Sequence, residues 1–148
     1  MRQLCIVVFV LMFAGTALGR GMRSWSYAQL TDAADVVVII TPTKTKLRPE
    51  KAPLPDIGNV IAQRVETEFS VQVVLKGTLA DPKQLVLHHY KDIRTGPIGN
   101  GPMLVSFEPN DKLVYVAFLK KGADGQYIAV TGQTDPHYSF EKLQQKAR

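Results

Sequence analysis

The chain has 148 residues, 18 Lys and Arg against 13 Asp and Glu, and a formal net charge of +5. That length supports one core of ordinary size and excludes two. A single cysteine excludes an internal disulfide, and a mild positive balance without a run of five or more like charges describes a solvated surface before a polyanion-binding tail.

Met1-Arg2-Gln3 is a short positive start, Leu4 to Phe13 is unbroken apolar, and Ala17-Leu18-Gly19 has the small-x-small pattern of a signal-peptidase site. This predicts a signal peptide over residues 1–19, cleaved after Gly19, with Gly21 as the alternative. A membrane anchor needs about 20 apolar residues, roughly twice this run. Cys5 stands at the start of the run and not at its end, where a lipidated N-terminus is made. Residues 20–148 then form a secreted or periplasmic domain without a thiol, with 17 basic and 13 acidic side chains and a net charge of +4. Small exported domains often lean on disulfides, so this one has to rely on its core. Lys44, Lys46, Arg48 and Lys51 form one basic cluster, and Lys142, Lys146 and Arg148 another. Attraction to anionic polymers or membrane surfaces is the functional reading of both clusters, and solubility is the simpler one.

Ser26 followed by Gln29 has capping-box spacing, and Tyr27, Leu30 and Ala34 share one face, which predicts a helix from Tyr27 to about Ala33. Val36 to Ile40 is β-branched throughout and reads as a strand covered on both faces, bent or ended by Thr41-Pro42. Leu47 to Asn59 holds Pro49, Pro53, Pro55 and Gly58 and reads as a long loop. Val65, Thr67, Phe69, Val71, Val73 and Leu75 alternate with Glu66, Glu68, Ser70, Gln72, Val74 and Lys76. A period of two predicts a strand with the first set in the core and the second mostly in water, ended by Gly77. Gln84 to Tyr90 reads as a third strand, Lys91 to Pro102 as a second long loop, and Met103 to Phe107 as a short strand. Leu113 to Leu119 is apolar at every position and reads as a central strand; Gly122-Ala123-Asp124-Gly125 reads as a hairpin turn and Gln126 to Thr131 as the returning strand. Ser139 is placed to cap a last short helix with Phe140 and Leu143 facing inward. Together these elements predict a mainly β fold, a small five- or six-stranded OB-like barrel with a short helix at each end. Closure removes the edges that a disulfide-free sheet otherwise exposes; an open sandwich is the alternative.

The order of segments carries a resemblance. Tyr27-Ala28-Gln29-Leu30, then Ala34-Asp35-Val36-Val37-Val38, then the stretch Phe69 to Gly77, resembles the start of netrin-like domains, the OB-fold group that includes the tissue inhibitors of metalloproteases. Val114 to Leu119 is similar to a later strand of that pattern. Uncharacterised secreted bacterial proteins share the layout, with a closing segment similar to Gly132-Gln133-Thr134-Asp135-Pro136 through Ser139 and Leu143. The resemblance covers Tyr27 to Leu143, and its short apolar motifs imply the fold far more than a function. In the inhibitors an N-terminal cysteine presents its amine and carbonyl to the protease zinc. Residues 20–148 contain no cysteine, so that route of inhibition does not carry over.

His88 and His89 invite a metal reading, but strand neighbours point to opposite faces and cannot chelate one ion together; either of them with His137 is the weaker alternative. Asp135, His137 and Ser139 are the residue types of a hydrolase triad, without a nucleophile elbow, and a turn at Asp135-Pro136 with a cap at Ser139 explains them as well. Glu66 and Glu68 share a strand face, where solubilising is simpler than paired-carboxylate chemistry. In Lys91 to Pro102, glycine amides with Arg94 form a candidate anion nest. No Walker pattern or dinucleotide fingerprint accompanies it, so no cofactor is implied. Tyr90, Tyr115 and Tyr127 are candidate stacking surfaces, with core or rim packing as the alternative. Export favours protein or polysaccharide over nucleic acid as a partner. The sequence thus points to a non-enzymatic exported binding or accessory domain that uses Leu47–Asn59, Lys91–Pro102, Arg94, Tyr90, Tyr115 and Tyr127. The alternatives are a metal-dependent or hydrolytic enzyme built on a histidine, and an envelope-structural role without a specific ligand.

Overall fold

The computed structural model describes residues 23–55, 57–94 and 101–143. The expected signal peptide, the glycines Gly96 and Gly99, and Lys146 and Arg148 lie outside the described residues. Helix α1 (Tyr27–Ala33) starts on a capping box: Ser26 Oγ accepts from the Gln29 amide at 3.2 Å, and Gln29 Oε1 accepts from the Ser26 amide at 2.9 Å. Seven residues do not sustain a helix alone. Leu30 and Ala34 hold it against Val37, Phe118 and Val130. At its far end Lys76 Nζ donates to the Thr31 carbonyl at 2.6 Å and the Ala34 carbonyl at 2.7 Å. A cation there meets carbonyls the helix leaves unpaired and the negative end of its dipole.

Strands β1 (Val36–Leu54) and β2 (Ile57–Lys76) form one long antiparallel hairpin, so the expected loop Leu47–Asn59 is mostly strand and Thr41-Pro42 does not end β1. Prolines read locally forbid a ladder. Here the register shifts between Pro42 and Lys44, between Leu47 and Lys51, and between Pro53 and Leu54. A bulge leaves residues unpaired, so a missing N–H at or beside it costs little.

Strand β3 (Gln84–Asp92) pairs with β2 from Ser70↔Gln84 to Ala62↔Asp92. Strand β4 (Val114–Lys121) pairs with β1 from Val36↔Leu119 to Ile40↔Tyr115. Strand β5 (Tyr127–Ala129) returns along the end of β4 and meets β3 in parallel at Leu87↔Tyr127. Strand β6 (Phe140–Leu143) pairs with the first half of β4. The sheet thus runs β1-β2-β3-β5-β4-β6, and β4 also pairs with β1, so the pairings of the first five strands return to their start. Among the described residues no helix is long and apolar enough to cross a membrane.

Two further expected elements differ. The terminal helix expected after Ser139 is a 3-10 turn, Pro136–Ser139, followed by β6. Ser139 is no helix cap: its buried Oγ accepts from the Thr131 amide at 3.0 Å, and Phe140 turns inward opposite Ala117. Met103 to Phe107, expected as a strand, joins no ladder. Side chains hold it instead. Asp135 Oδ1 accepts from the Met103 amide at 3.0 Å, and Thr45 Oγ1 donates to the Phe107 carbonyl at 3.1 Å.

Val36, Val38, Ile40, Phe69, Leu87, Ala117 and Leu119 bury into one cluster, while Val37 and Phe118 point the other way and lie under α1. The continuous apolar runs of β1 and β4 are therefore covered on both faces, as their composition requires. Phe107 is the aromatic hub, edge-on to Phe69 (4.9 Å), His89 (5.3 Å), Tyr115 (5.3 Å) and Phe140 (5.0 Å). The alternation of β2 holds for Val65, Thr67 and Phe69 but fails at its end. Val73 and Leu75 are 46% and 56% exposed: the register against β1 shifts between Ile39 and Ile40 and between Val37 and Val38, which breaks the alternation, and β3 begins opposite Ser70 and does not flank them. Glu66, expected on a wet face, is buried beneath Arg48.

Candidate functional site

The register shift between Leu47 and Lys51 shapes a cleft. Leu47 pairs with Val65 and Lys51 with Gln63, so Arg48, Pro49 and Glu50 stand opposite Arg64 alone. Bulges re-aim side chains, and Arg48, Glu50 and Arg64 border one cleft of about 430 Å³. Its other walls are Val65 of β2, His88, His89 and Tyr90 of β3, Asp124 and Gln126 before β5, Ile128 of β5, and Gln133. Thr134 Oγ1, next to Gln133, donates to the Pro55 carbonyl at 2.6 Å and ties the tip of the hairpin to this corner.

Arg48 is hydrogen-bonded and ion-paired to Glu66. That bond holds the Glu66 carboxyl below its ordinary range, outweighing the opposite effect of burial, with smaller pulls from His88 and Lys46. His89 is 4% exposed. Burial pushes its imidazole down to about 4, against a smaller opposite pull from the Tyr90 backbone and with a small push from His88, so it is neutral at pH 7. Its Nε2 lies 2.9 Å from Thr67 Oγ1, which lies 3.2 Å from Thr45 Oγ1. Among the described residues His89 Nδ1 and Gln133 Oε1 are buried without a hydrogen bond, although Gln133 Nε2 donates to the His88 carbonyl at 3.0 Å.

The residues singled out in the sequence scatter. Tyr90 borders the cleft, half-buried against Leu54, Val60 and Ala62, and His88 and His89 border it too. Tyr115 is core, edge-on to Phe107, and burial first of all raises its phenol, with Asp111 and Glu108 adding to the rise. Tyr127 is half-buried against the same cluster. Arg94 makes a two-pronged ion pair with Asp92, at 3.0 and 2.8 Å, away from the cleft lining. That hydrogen bond holds the Asp92 carboxyl low.

His137 is exposed in the turn before β6 with its ring against Tyr138, and it does not border the cleft of His88 and His89. Among the described residues no three His, Cys, Asp or Glu gather as a metal site. Asp135 and Ser139 hold structure: one anchors Met103, and the other bonds the amide and hydroxyl of Thr131.

Glu50, Arg64, Thr67, Asp124, Gln126 and Gln133 are not evident as site residues from sequence reasoning, and Arg48 figures there only as one of a basic cluster. One signal for part of this set is present: Lys44, Lys46 and Arg48 alternate as Glu66 and Glu68 do, the pattern of charges facing each other across a hairpin. The structure pairs them, with Lys46 at 3.7 Å from Glu68. No protein-family model matches the chain, and no curated protein matches it.

Proposed function

We propose that this chain is an exported, non-enzymatic binding or accessory domain whose ligand, a protein or a glycan outside the cytoplasm, occupies the cleft bordered by Arg64, His88, Tyr90, Gln126 and Gln133. The observation that carries this reading is a pair of buried, unbonded acceptors, His89 Nδ1 and Gln133 Oε1, on side chains that line one cleft. Buried polar groups are paired as a rule, and each exception calls for an explanation such as a bound water, an ion or a functional role. The cyclic strand order, with β3 and β5 as parallel neighbours, supports a small closed OB-like barrel. Such barrels hold ligands on the face of their second and third strands, flanked by the first–second and fourth–fifth loops. A cleft bordered by β2, β3, the β1 bulge and the turn before β5 supports the same reading. The structural engagement of Asp135 and Ser139 favours binding over hydrolysis. The netrin-like resemblance supports the fold, and the signal-like start supports export to a secreted or periplasmic location.

The test is titration of isotope-labelled protein with extracytoplasmic protein and glycan fractions. Saturable resonance shifts are expected at Arg64, His88, Tyr90 and Gln126, and Arg64→Ala with Tyr90→Leu should abolish them. Shifts confined to another surface, or none, refute the reading. Export is checked by mass spectrometry of the protein made in its host: a mature form starting at Arg20 is expected, and one retaining Met1 refutes it.

A further inference from the structure

The ladder of β2 and β3 runs to Ala62↔Asp92, but β5 meets β3 only at Leu87↔Tyr127. Beyond Leu87 the outer side of β3 carries no strand. In an antiparallel pair, successive residues turn their N–H and C=O groups alternately towards the partner strand and away from it. Gln133, from the β5–β6 connection, donates to the His88 carbonyl at 3.0 Å. His88 therefore faces outward, His89 faces β2, and Tyr90 and Asp92 face outward again. Among the described residues no turn or loop bonds the backbone of Tyr90 or Asp92. The His89 ring draws on the Tyr90 backbone; the Tyr90 amide and the second lone pair of its carbonyl stay open. An edge of this kind is a template for another strand.

Two cavities flank that edge. Tyr90 borders the cleft of about 430 Å³. Its neighbour Lys91, on the opposite face of β3, borders a second cavity of about 260 Å³ with Leu47, Val105, Phe107 and Pro109. Successive side chains of an added strand alternate in the same way, so one turns to the cleft and the next to the second cavity. Alternate side chains in separate pockets are how strand addition gains sequence preference.

Charge selects the occupant. Every acid on the paired stretches of β2 and β3 is already held: Glu66 by Arg48, Glu68 by Lys46 and Asp92 by Arg94. Arg64 and Lys91 are exposed and, among the described residues, have no ion pair. The other acids around the cavities are engaged or remote. Asp124 accepts from the Gln126 amide at 3.1 Å, Glu108 accepts from the Ser106 hydroxyl at 3.2 Å, and Glu50 lies on β1, two strands from the edge. A second copy of the chain is a poor match, because antiparallel pairing of two such edges through Tyr90 and Asp92 sets Lys91 against Lys91.

Resting on the reading of this cleft as the ligand site, we propose that β3 takes up an extended acidic segment of a partner protein as an added strand. Its main chain bonds Tyr90 and Asp92, and its carboxylates lie towards Lys91 and Arg64.

Amide exchange and peptide titration of the isotope-labelled protein test this. In the free protein the Tyr90 amide is expected to exchange faster than those of His89 and Lys91, which face β2; equal protection overturns the proposal. Short peptides of alternating valine and glutamate are expected to give saturable shifts at Tyr90, Lys91 and Asp92 and to slow exchange of the Tyr90 amide. Their valine–lysine counterparts should not bind. Lys91→Glu, a change on an exposed side chain, should weaken the glutamate peptides about tenfold and admit the lysine ones. Shifts without slowed Tyr90 exchange, equal binding of both peptides, or self-association through this edge overturns the proposal. If a neutral saccharide and no peptide shifts the cleft resonances, strand addition fails while the binding-domain reading stands. If the cleft stays silent to peptides and to protein and glycan fractions alike, both fail.

Discussion

Gly77 lies against the carbonyl oxygen of Asp35: a Cβ placed on it would stand 2.0 Å from that oxygen. Its φ of +77° adds a conformational demand of its own. Gly77→Ala is therefore expected to cost about 3 kcal/mol or more, a clash added to backbone strain. Gly125 has a φ of +79° and nothing within 4 Å of a built Cβ, so Gly125→Ala should cost only about 1 kcal/mol. Urea unfolding of the two variants checks the difference. Equal losses would mean that conformation alone, and not the contact with Asp35, decides the position.

One residue earlier, Lys76 closes the end of α1. Lys76→Met keeps most of the aliphatic stem and removes the charge and the ammonium's hydrogen bonds to the carbonyls of Thr31, Asp32 and Ala34. The expected loss is about 1–2 kcal/mol, from hydrogen bonds to a charged group and the helix dipole. Amide exchange should speed up in Leu30 to Ala33 and stay unchanged in Val37 to Ile40. Unchanged exchange in α1 would show that Leu30 and Ala34 alone secure the helix.

The helix is legible in the sequence because its determinants are local: Ser26, Gln29 and Leu30 state the cap and the buried face within a few residues. The hairpin beyond Pro42 is not, because the bulges that accommodate Pro42 and Pro49 exist only once β2 lies opposite them. Ser139 reads as a helix start, but the partner that occupies its hydroxyl is Thr131, supplied by the turn and not by a helix. The cleft divides in the same way. Tyr90, His88 and His89 announce themselves as residue types. Arg48 and Arg64 share a border only through the bulge, and Gln133 joins them only through the β5–β6 connection.

Stability should fall with acid through His89. The unfolded imidazole takes a proton near 6.5, and the folded one only near 4, because burial disfavours its charge. Below pH 6.5 the unfolded chain binds a proton that the folded chain refuses, so stability drops as pH falls towards 4 and this loss levels off beneath it. The full span is about 3 kcal/mol as an upper figure. The low Glu66 carboxyl acts in the same direction at the acid end, since its bond to Arg48 is lost on protonation. Denaturant midpoints measured from pH 7.5 to 4, with His89 titrated by NMR, test this. A flat profile, or a folded His89 that titrates near 6.5, contradicts it.

Phe107 holds the core from a segment that joins no ladder. Phe107→Ala should cost about 3–5 kcal/mol, the range for a buried aromatic whose space cannot be refilled. The loss should also loosen Met103 to Val105, seen as faster proteolysis of that segment in the native protein. A loss under about 1 kcal/mol would mean that Phe69, Tyr115 and Phe140 close over the gap.

The ring of pairings has one thin seam. Strands β3 and β5 meet at Leu87↔Tyr127 alone, whereas β4 and β5 share three pairs and β1 and β4 share five. That seam lies next to His88 and Ile128, which follow the paired residues on neighbouring strands and both border the cleft. Beyond that pair Gln133 Nε2 bonds the His88 carbonyl, so among the described residues the join of β3 to the strand beside it rests on side chains as much as on the ladder, and a ligand seated there as proposed would bridge the two.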